Sequence, residues 1–194
     1  VSKLKEEYGE ERAQAIFESL LVRNKASIRV TDLSRKEEIQ ALLEASDSSL
    51  SPSGLVKEQG HFAGHDLFAD GAITIQDESS QLVAPTLDLK GDEQVLDACA
   101  APGGKTAHIA SYLTTGQVTA LDLYDHKLDL IQENAERLGV AERVQTQKLD
   151  ARKVHELFGQ NSFDKILVDA PCSGIGLLRR KPDIKYNKET ADFA

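Results

Sequence analysis

Four aspartates in the second half of the chain each stand at the end of a segment that we expect to form a strand. Asp97, Asp122, Asp150 and Asp169 stand where we expect strands to end. The carboxyl ends of parallel strands meet at one edge of an open α/β sheet, and ligands bind at that edge. An acidic residue after the second strand can accept hydrogen bonds from both hydroxyls of a ribose, which suits Asp122. Together the four carboxylates indicate a ligand site, although any one alone is often a turn former or helix cap.

A glycine-rich stretch, "DACAAPGGKT", follows the first of these strand ends at residues 97–106. A phosphate-binding P-loop needs a glycine five positions before Gly104, where this chain has Cys99, and adjacent glycines break the dinucleotide pattern. Gly103 and Gly104 still let the backbone approach a ligand, and they precede a helix whose first turn favours negative charge. An adenosine ligand with a modest anionic end suits this edge better than a triphosphate, and S-adenosylmethionine fits that description.

Two cysteines differ in their surroundings. Cys172 follows a proline at the end of the fourth strand, beside Asp169, where a cation such as Lys105 would lower its pKa. From the residues alone, Cys172 is the candidate nucleophile, and the alternative is a buried structural thiol. Cys99 is interpreted as a small buried apolar residue. The histidines and cysteines lack the spacing of metal ligands, so we predict no metal.

The bulk composition restricts the class of protein. The chain has 194 residues and a formal net charge of −9, which argues against a surface covered in phosphate contacts. Without an apolar run of membrane-spanning length or a signal-peptide pattern, we predict a cytoplasmic protein with no membrane partner. One dense basic stretch near the carboxyl end is predicted to contact nucleic-acid phosphates. Its residues are Arg179, Arg180, Lys181 and Lys185.

The two halves of the chain differ in their pattern. Residues 87–194 alternate continuous apolar strands with helices, which predicts an α/β domain with a Rossmann-like parallel sheet. Residues 1–86 predict a small α+β accessory subdomain. Within it, apolar spacing predicts a helix over residues 10–21, "SIRV" predicts a strand, and Ser34 with Glu37 predicts a capping box at the start of a second helix.

The segments "LDACAAPGGKT" and "DAPCSGIGLLRRKPDIKY" resemble the RNA cytosine-C5 methyltransferases, and within them the branch that acts on bacterial small-subunit (16S) ribosomal RNA. The resemblance covers roughly residues 20–194. It is most specific at 97–106 and 168–186, and residues 27–30 and 71–85 look like that family's accessory RNA-binding subdomain. The fold it implies is an S-adenosylmethionine-dependent methyltransferase core, incomplete at its carboxyl end.

The resemblance also implies roles for individual residues. The cofactor's methionine part would lie against a loop made of Cys99, Ala100, Ala101, Pro102, Gly103, Gly104 and Lys105. Asp122 would hold the ribose, Asp150 would lie near the adenine, and Asp169 would border the site. Asp169 would also bond or protonate the cytosine ring at N3/N4, with Lys105 positioning it. A cysteine thiolate adds to C6 of an unpaired cytosine in this family, which makes C5 nucleophilic; C5 then gives up its proton and the cysteine leaves.

One departure from the family concerns that cysteine. In the family the attacking cysteine belongs to a Thr-Cys motif beyond the Pro-Cys, whose own cysteine assists product release. This chain has no Thr-Cys and no methionine, so we expect a segment of a longer polypeptide, inactive alone or associating through an exposed strand edge. The alternative is a non-catalytic RNA-binding scaffold. A nicotinamide oxidoreductase or an N6-adenine methyltransferase would leave "DAPCSG" unexplained.

Overall fold

The computed structural model describes residues 2–20, 22 and 25–172. The chain divides into two compact units, one made of Val1–Lys25 with Pro171–Ala194 and the other of Ala26–Ala170. The described part of the first unit contains helices α1 (Ser2–Tyr8) and α2 (Glu10–Ser19), which are separated by Gly9. α2 confirms the helix predicted from apolar spacing, whereas α1 was not predicted.

An antiparallel sheet opens the second unit, whose residues 26–170 are described without a gap. Its strands are β1 (Ala26–Val30), β2 (Ser46–Asp47), β3 (Gly54–Lys57) and β4 (Ile73–Ile75), in the spatial order β2-β3-β1-β4. Two helices, α3 (Lys36–Leu43) and α4 (Asp66–Ala69), accompany the sheet. The apolar side chains they enclose are Ile28, Val30, Ile39, Leu43, Leu55, Phe62, Leu67 and Ile73.

The start of α3 differs from the predicted capping box. A 3-10 turn over Leu33–Arg35 precedes the helix, and Asp32 caps that turn by accepting the backbone N–H of Ser34 at 2.9 Å. The hydroxyl of Ser34 donates to the same carboxylate at 2.7 Å. Because Asp32 engages both groups of Ser34, the serine does not cap the helix, and the prediction of its role was wrong.

A parallel sheet forms the rest of the unit and confirms the predicted Rossmann-like class. Its strands are β5 (Gln94–Asp97), β6 (Gln117–Asp122), β7 (Val144–Lys148) and β8 (Lys165–Leu167). The helices are α5 (Glu78–Gln81), α6 (Val83–Thr86), α7 (Gly104–Ala110), α8 (Asp125–Arg137) and α9 (Val154–Leu157). Buried Val95, Val118, Ala120, Ile109 and Ile131 belong to one core between sheet and helices.

In the strand order β7-β6-β5-β8, the side on which successive strands are added changes once, although all four strands run parallel. The chain builds outward from β5 to β6 and β7, then returns to place β8 on the other side of β5. Connections that leave β5 and its neighbour in opposite directions open a crevice at their carboxyl ends, which is where open α/β sheets bind ligands. The glycine-rich stretch after β5 therefore stands at the crevice.

The predicted boundary between residues 86 and 87 falls between the end of α6 and the parallel sheet. Both sheets belong to the compact unit Ala26–Ala170, so a division into an RNA-binding and a catalytic part stays a prediction. Within the described residues, no helix is both long and apolar enough to cross a bilayer.

Candidate functional site

The four predicted aspartates lie at the carboxyl edge of the parallel sheet. Asp97 and Asp122 are the last residues of β5 and β6, while Asp150 and Asp169 follow β7 and β8 by two residues. Since all four strands run parallel, the fold brings these positions to one edge. The acidic pattern seen in the sequence therefore becomes a row of strand ends along one edge of the sheet.

The glycine loop, residues 98–104, is held between neighbouring strands. The N–H of Ala98 donates to the carbonyl oxygen of Leu167, the last residue of β8, and the N–H of Ala100 donates to that of Leu121 in β6, both at 2.9 Å. A third bond, from the N–H of Gly103 to the carbonyl of Ala100, closes the turn at 2.8 Å. The Ala101–Pro102 peptide bond is cis. The loop is thus a defined backbone surface at the crevice.

Gly103 is required by this loop for two reasons. Its φ of +99° lies in the region that L side chains rarely adopt. A Cβ there would also lie 2.9 Å from the Cα of Ile131 in α8, a backbone contact that cannot yield cheaply. Gly104, in contrast, has an ordinary φ and only the Gln76 amide nitrogen within 4.0 Å of such a Cβ. The first glycine shapes the loop, and the second leaves space above the helix.

The carboxylate of Asp97 is buried beneath the loop. Oδ2 accepts a hydrogen bond from the Thr106 hydroxyl at 2.7 Å, whereas Oδ1 is buried and has no partner in the described part of the chain. Burial raises the pKa of Asp97 to about 6, against the bond from Thr106, the backbone N–H of Cys99 and the charge of Lys105. An unpartnered buried oxygen beside a backbone cradle fits a polar ligand group. The contact with Thr106 was not predicted.

Lys105 and Asp169, two residues predicted to act together, form an ion pair. The Nζ of Lys105 lies 2.7 Å from Oδ2 of Asp169. The lysine side chain is mostly covered and the aspartate side chain is more than half exposed, so the carboxylate remains accessible from the crevice. The contact supports the predicted positioning of Asp169 by Lys105, while the catalytic role of either residue stays a prediction.

Asp122 is held through one of its two carboxylate oxygens. Oδ1 accepts the backbone N–H groups of Leu123 and Tyr124 at 2.7 and 3.3 Å and lies 3.6 Å from the Nζ of Lys127. Oδ2 receives no such bond within the described residues. The carboxylate is therefore fixed in direction by one oxygen, and its other oxygen is available to ligand hydroxyls.

Asp150 is engaged by its own turn. Its carboxylate accepts the N–H of Arg152 at 3.0 Å and pairs with the guanidinium of the same residue at 2.6 Å. These bonds lower the pKa of Asp150 to about 2, the side-chain bond contributing most. Asp150 thus forms a turn, which was the alternative role considered from the sequence. Its predicted position near the adenine of the cofactor stays a prediction.

The two cysteines occupy different places. Cys99 is only partly buried, not fully buried as the sequence suggested. The pKa of its thiol is raised by burial first and then by the nearby Asp97, Asp122 and Asp169, which keeps it protonated and a poor nucleophile. Cys172 is exposed and belongs to the unit that includes Pro171–Ala194, so its distance from the crevice is not described. The predicted RNA-binding residues Arg179, Arg180, Lys181 and Lys185 lie outside the described residues. Among the described ones, no cluster of metal-ligating side chains occurs.

The sequence matches a family of known methyltransferases. The family model described as "16S rRNA methyltransferase RsmB/F" matches residues 84–194, which is more than half of the chain. The chain belongs to this family. Membership confirms the predicted resemblance and supports S-adenosylmethionine as the cofactor.

Individual relatives agree with this assignment. "Probable ribosomal RNA small subunit methyltransferase B" of Bacillus subtilis (strain 168) is 46% identical over 194 residues, covering 96% of this chain and 43% of that protein. The chain thus spans less than half the length of this curated relative. The crystal structure of PH0851 superposes with a TM-score of 0.88 at 31% identity, covering 97% of this chain and 44% of the other.

A more distant structure shares the fold. NSun6 from Pyrococcus horikoshii, solved with SFG, superposes with a TM-score of 0.85 at 22% identity and covers 99% of this chain and 74% of that one. The similarity extends over both sheets of the chain. It therefore supports the methyltransferase architecture derived above.

Proposed function

We propose that this chain forms the cofactor-binding part of an enzyme that transfers a methyl group from S-adenosylmethionine to C5 of cytosine in 16S ribosomal RNA. The observation that carries the proposal is the position and the hydrogen bonding of Asp122. Its carboxylate ends β6 beside the crevice, with Oδ1 held by backbone N–H groups and Oδ2 available. Such an acidic residue suits the two hydroxyls of a ribose.

The residues present at the crevice fit the cofactor. The glycine loop offers a backbone surface without side chains at Gly103 and Gly104, against which the methionine part would lie. The unpartnered Oδ1 of Asp97 offers a buried acceptor under the same loop. Asp150 would lie toward the adenine. The bound cofactor would supply an electrophilic methyl group.

The Lys105–Asp169 pair would act on the target base. The carboxylate of Asp169 would hydrogen-bond the cytosine at N3/N4, and Lys105, 2.7 Å away, would hold it in place. Extruding a cytosine from its stack costs a few kcal/mol of free energy, and less when the base is unpaired. Exposed Cys172 would assist product release, as the resemblance implies, and the basic stretch at 179–185 would contact phosphates.

This sequence contains no Thr-Cys motif, which bears on the source of the attacking cysteine. The attacking thiolate, which adds to C6 while C5 takes the methyl group, would come from a polypeptide longer than this chain. We therefore propose that the 194 residues alone bind the cofactor without turnover. The alternative, an RNA-binding scaffold, predicts RNA binding that S-adenosylhomocysteine does not change.

A label-transfer experiment tests the proposed function. 16S ribosomal RNA would be incubated with methyl-tritiated S-adenosylmethionine and either this chain or a polypeptide extended beyond Ala194 to the length of its relatives. We expect labelled 5-methylcytidine only with the extended polypeptide, and its loss in Asp169→Ala. The exposed Lys90–Asp88 pair supplies a matched control, since Asp88→Ala removes a similar surface contact. Label in another nucleoside would contradict the proposal, as would full transfer by Asp169→Ala.

A further inference from the structure

Arg137, near the end of α8, fastens this helix to the antiparallel sheet. Its Nη1 donates to the carbonyl oxygens of Phe68 and Ile73 at 2.8 and 3.4 Å, and its Nη2 donates to the Thr74 hydroxyl at 3.2 Å. The guanidinium also lies 4.0 Å from the centre of the Phe68 ring. Three donors in a planar fork thus fix the arginine against β4 and the segment before it.

Asn134 continues this set of contacts to the glycine loop. Its Oδ1 accepts a 2.9 Å bond from Nη2 of Arg137, and its Nδ2 donates to the carbonyl oxygen of Pro102 at 2.7 Å. The side-chain amide therefore has one end on the arginine and the other on the loop. Its orientation follows from its partners, because only the amide nitrogen can donate to a carbonyl.

The contacts run without interruption from one sheet to the loop of the other. Thr74 of β4, Arg137, Asn134 and Pro102 form a chain of hydrogen bonds, all within residues 26–170. The loop is otherwise tied by backbone bonds to β6 and to the end of β8. Asn134 thus supplies a side-chain restraint on the cis-proline segment, from the side of the antiparallel sheet.

We propose that Asn134 and Arg137 are positioning residues for the glycine loop. Through these two residues, the antiparallel sheet helps to hold the loop in the conformation that binds the cofactor. This inference rests on the proposed function, because it assigns the loop to the cofactor. A movement of β4 would reach the loop through these two side chains.

Substitution Asn134→Asp separates the two ends of the amide. The carboxylate still accepts the bond from Arg137, but it places an oxygen where a donor to the Pro102 carbonyl is needed. Gln132→Glu is the matched control, since it makes the same amide-to-acid change on α8 at a side chain bonded to Glu136. A second variant, Thr74→Val, keeps the side-chain shape and removes the acceptor at the far end of the chain of bonds.

Two measurements report how these substitutions affect the glycine loop. Calorimetry gives the dissociation constant for S-adenosylhomocysteine, and hydrogen exchange of the ligand-free protein reports on the amides of residues 98–104. For Asn134→Asp we expect about tenfold weaker binding and faster exchange in the loop, which is the size of one lost hydrogen bond. For Thr74→Val we expect the same direction with about twofold to threefold weaker binding. Gln132→Glu loses its bond to Glu136 and adds like-charge repulsion on α8, but it should leave both the binding and the loop exchange as in the wild type.

The outcomes separate this inference from the proposed function. If the wild type fails to bind S-adenosylhomocysteine, the proposed function is wrong, and loop exchange in the variants still decides whether the restraint exists. Unchanged loop exchange and binding in Asn134→Asp would overturn the inference. If Asn134→Asp does not fold, unchanged loop exchange in Thr74→Val overturns it. Faster exchange in the loop with an unchanged melting temperature supports a positioning role, because a purely structural role would lower the melting temperature as well.

Discussion

At the scale of single residues, the carboxylate of Asp97 depends most on its surroundings. It is buried under the glycine loop, accepts one bond from Thr106 and has a pKa raised to about 6 by burial. In an unfolded chain the same group would release its proton near its ordinary value of 3.8. The native state therefore holds a proton between about pH 4 and pH 6 that the unfolded state has released.

This difference predicts a pH-dependent effect of Asp97→Asn. When the native state binds more protons than the unfolded state, stability falls as pH rises, so the wild type loses the contribution of Asp97 between pH 4 and pH 6. The amide does not titrate. We expect the free energy of unfolding of Asp97→Asn, relative to the wild type, to rise by about 2 kcal/mol over that range and then level off.

Urea denaturation at half-unit pH steps measures that difference. Because other carboxylates titrate equally in both proteins, the subtraction isolates residue 97. The exposed Asp92, changed to Asn, controls for the lost negative charge. A difference between Asp97→Asn and wild type that stays constant with pH would show that the carboxylate is not held protonated by burial.

Single residues also mark the limit of what the sequence predicts. Strand-end aspartates are predictable because parallel strands bring their ends together, and the structure places Lys105 beside Asp169 as expected. Asn134 was not predictable: it lies 32 positions from Pro102, and an asparagine on an exposed-looking helix carries no signal of its partner. Its role follows from the crossing of α8 over the loop, which is a property of the packed chain.

At the scale of elements, two adjacent glycines of the loop are predicted to behave differently. Gly103→Ala would strain a φ of +99° and press a Cβ against the backbone of Ile131, so we expect a loss of about 2 kcal/mol in the free energy of unfolding. Gly104→Ala meets only the end of the Gln76 side chain at 4.0 Å, and we expect a change within about 0.5 kcal/mol.

Thermal and chemical denaturation of the two variants provide the test, each variant serving as the control of the other. Equal losses would show that the loop does not depend on the left-handed conformation of Gly103. A large loss in Gly104→Ala alone would reverse the assignment of roles within the loop.

Elements were predicted better in the second half of the chain than in the first. Continuous apolar strands alternating with helices have few alternative folds, and all four parallel strands occur where expected. In the first half, a helix was expected in the segment that forms α3, but the capping box predicted for its start was wrong. Asp32 accepts both the N–H and the hydroxyl of Ser34, and this contact depends on backbone geometry, which spacing alone does not reveal.

At the scale of the whole molecule, β8 pairs with β5 on one side only, among the residues that the structure describes. Its Ile166 is 55% exposed. Unpaired strand edges with apolar side chains pair with other chains, and charged residues on the edge oppose this. We therefore predict that the chain self-associates with rising concentration and that Ile166→Lys weakens the association.

Light scattering during gel filtration checks this prediction. Leu42→Lys makes the same change at an exposed leucine of α3, far from the edge in the chain, and should associate like the wild type. A uniform 21.2 kDa monomer at every concentration would contradict self-association. Equal effects of the two lysines would show that β8 is not the contact.

We propose that the carboxyl edge of the parallel sheet binds S-adenosylmethionine through Asp122. Calorimetric titration of S-adenosylhomocysteine into the folded chain tests it most directly, with Asp122→Ala and, as control, Asp125→Ala, which removes an exposed carboxylate paired with Lys148. We predict saturable binding by the wild type and Asp125→Ala, and binding weaker by roughly 30-fold or more in Asp122→Ala. If Asp122→Ala binds S-adenosylhomocysteine as tightly as the wild type, Asp122 does not hold the cofactor and the proposed site is wrong.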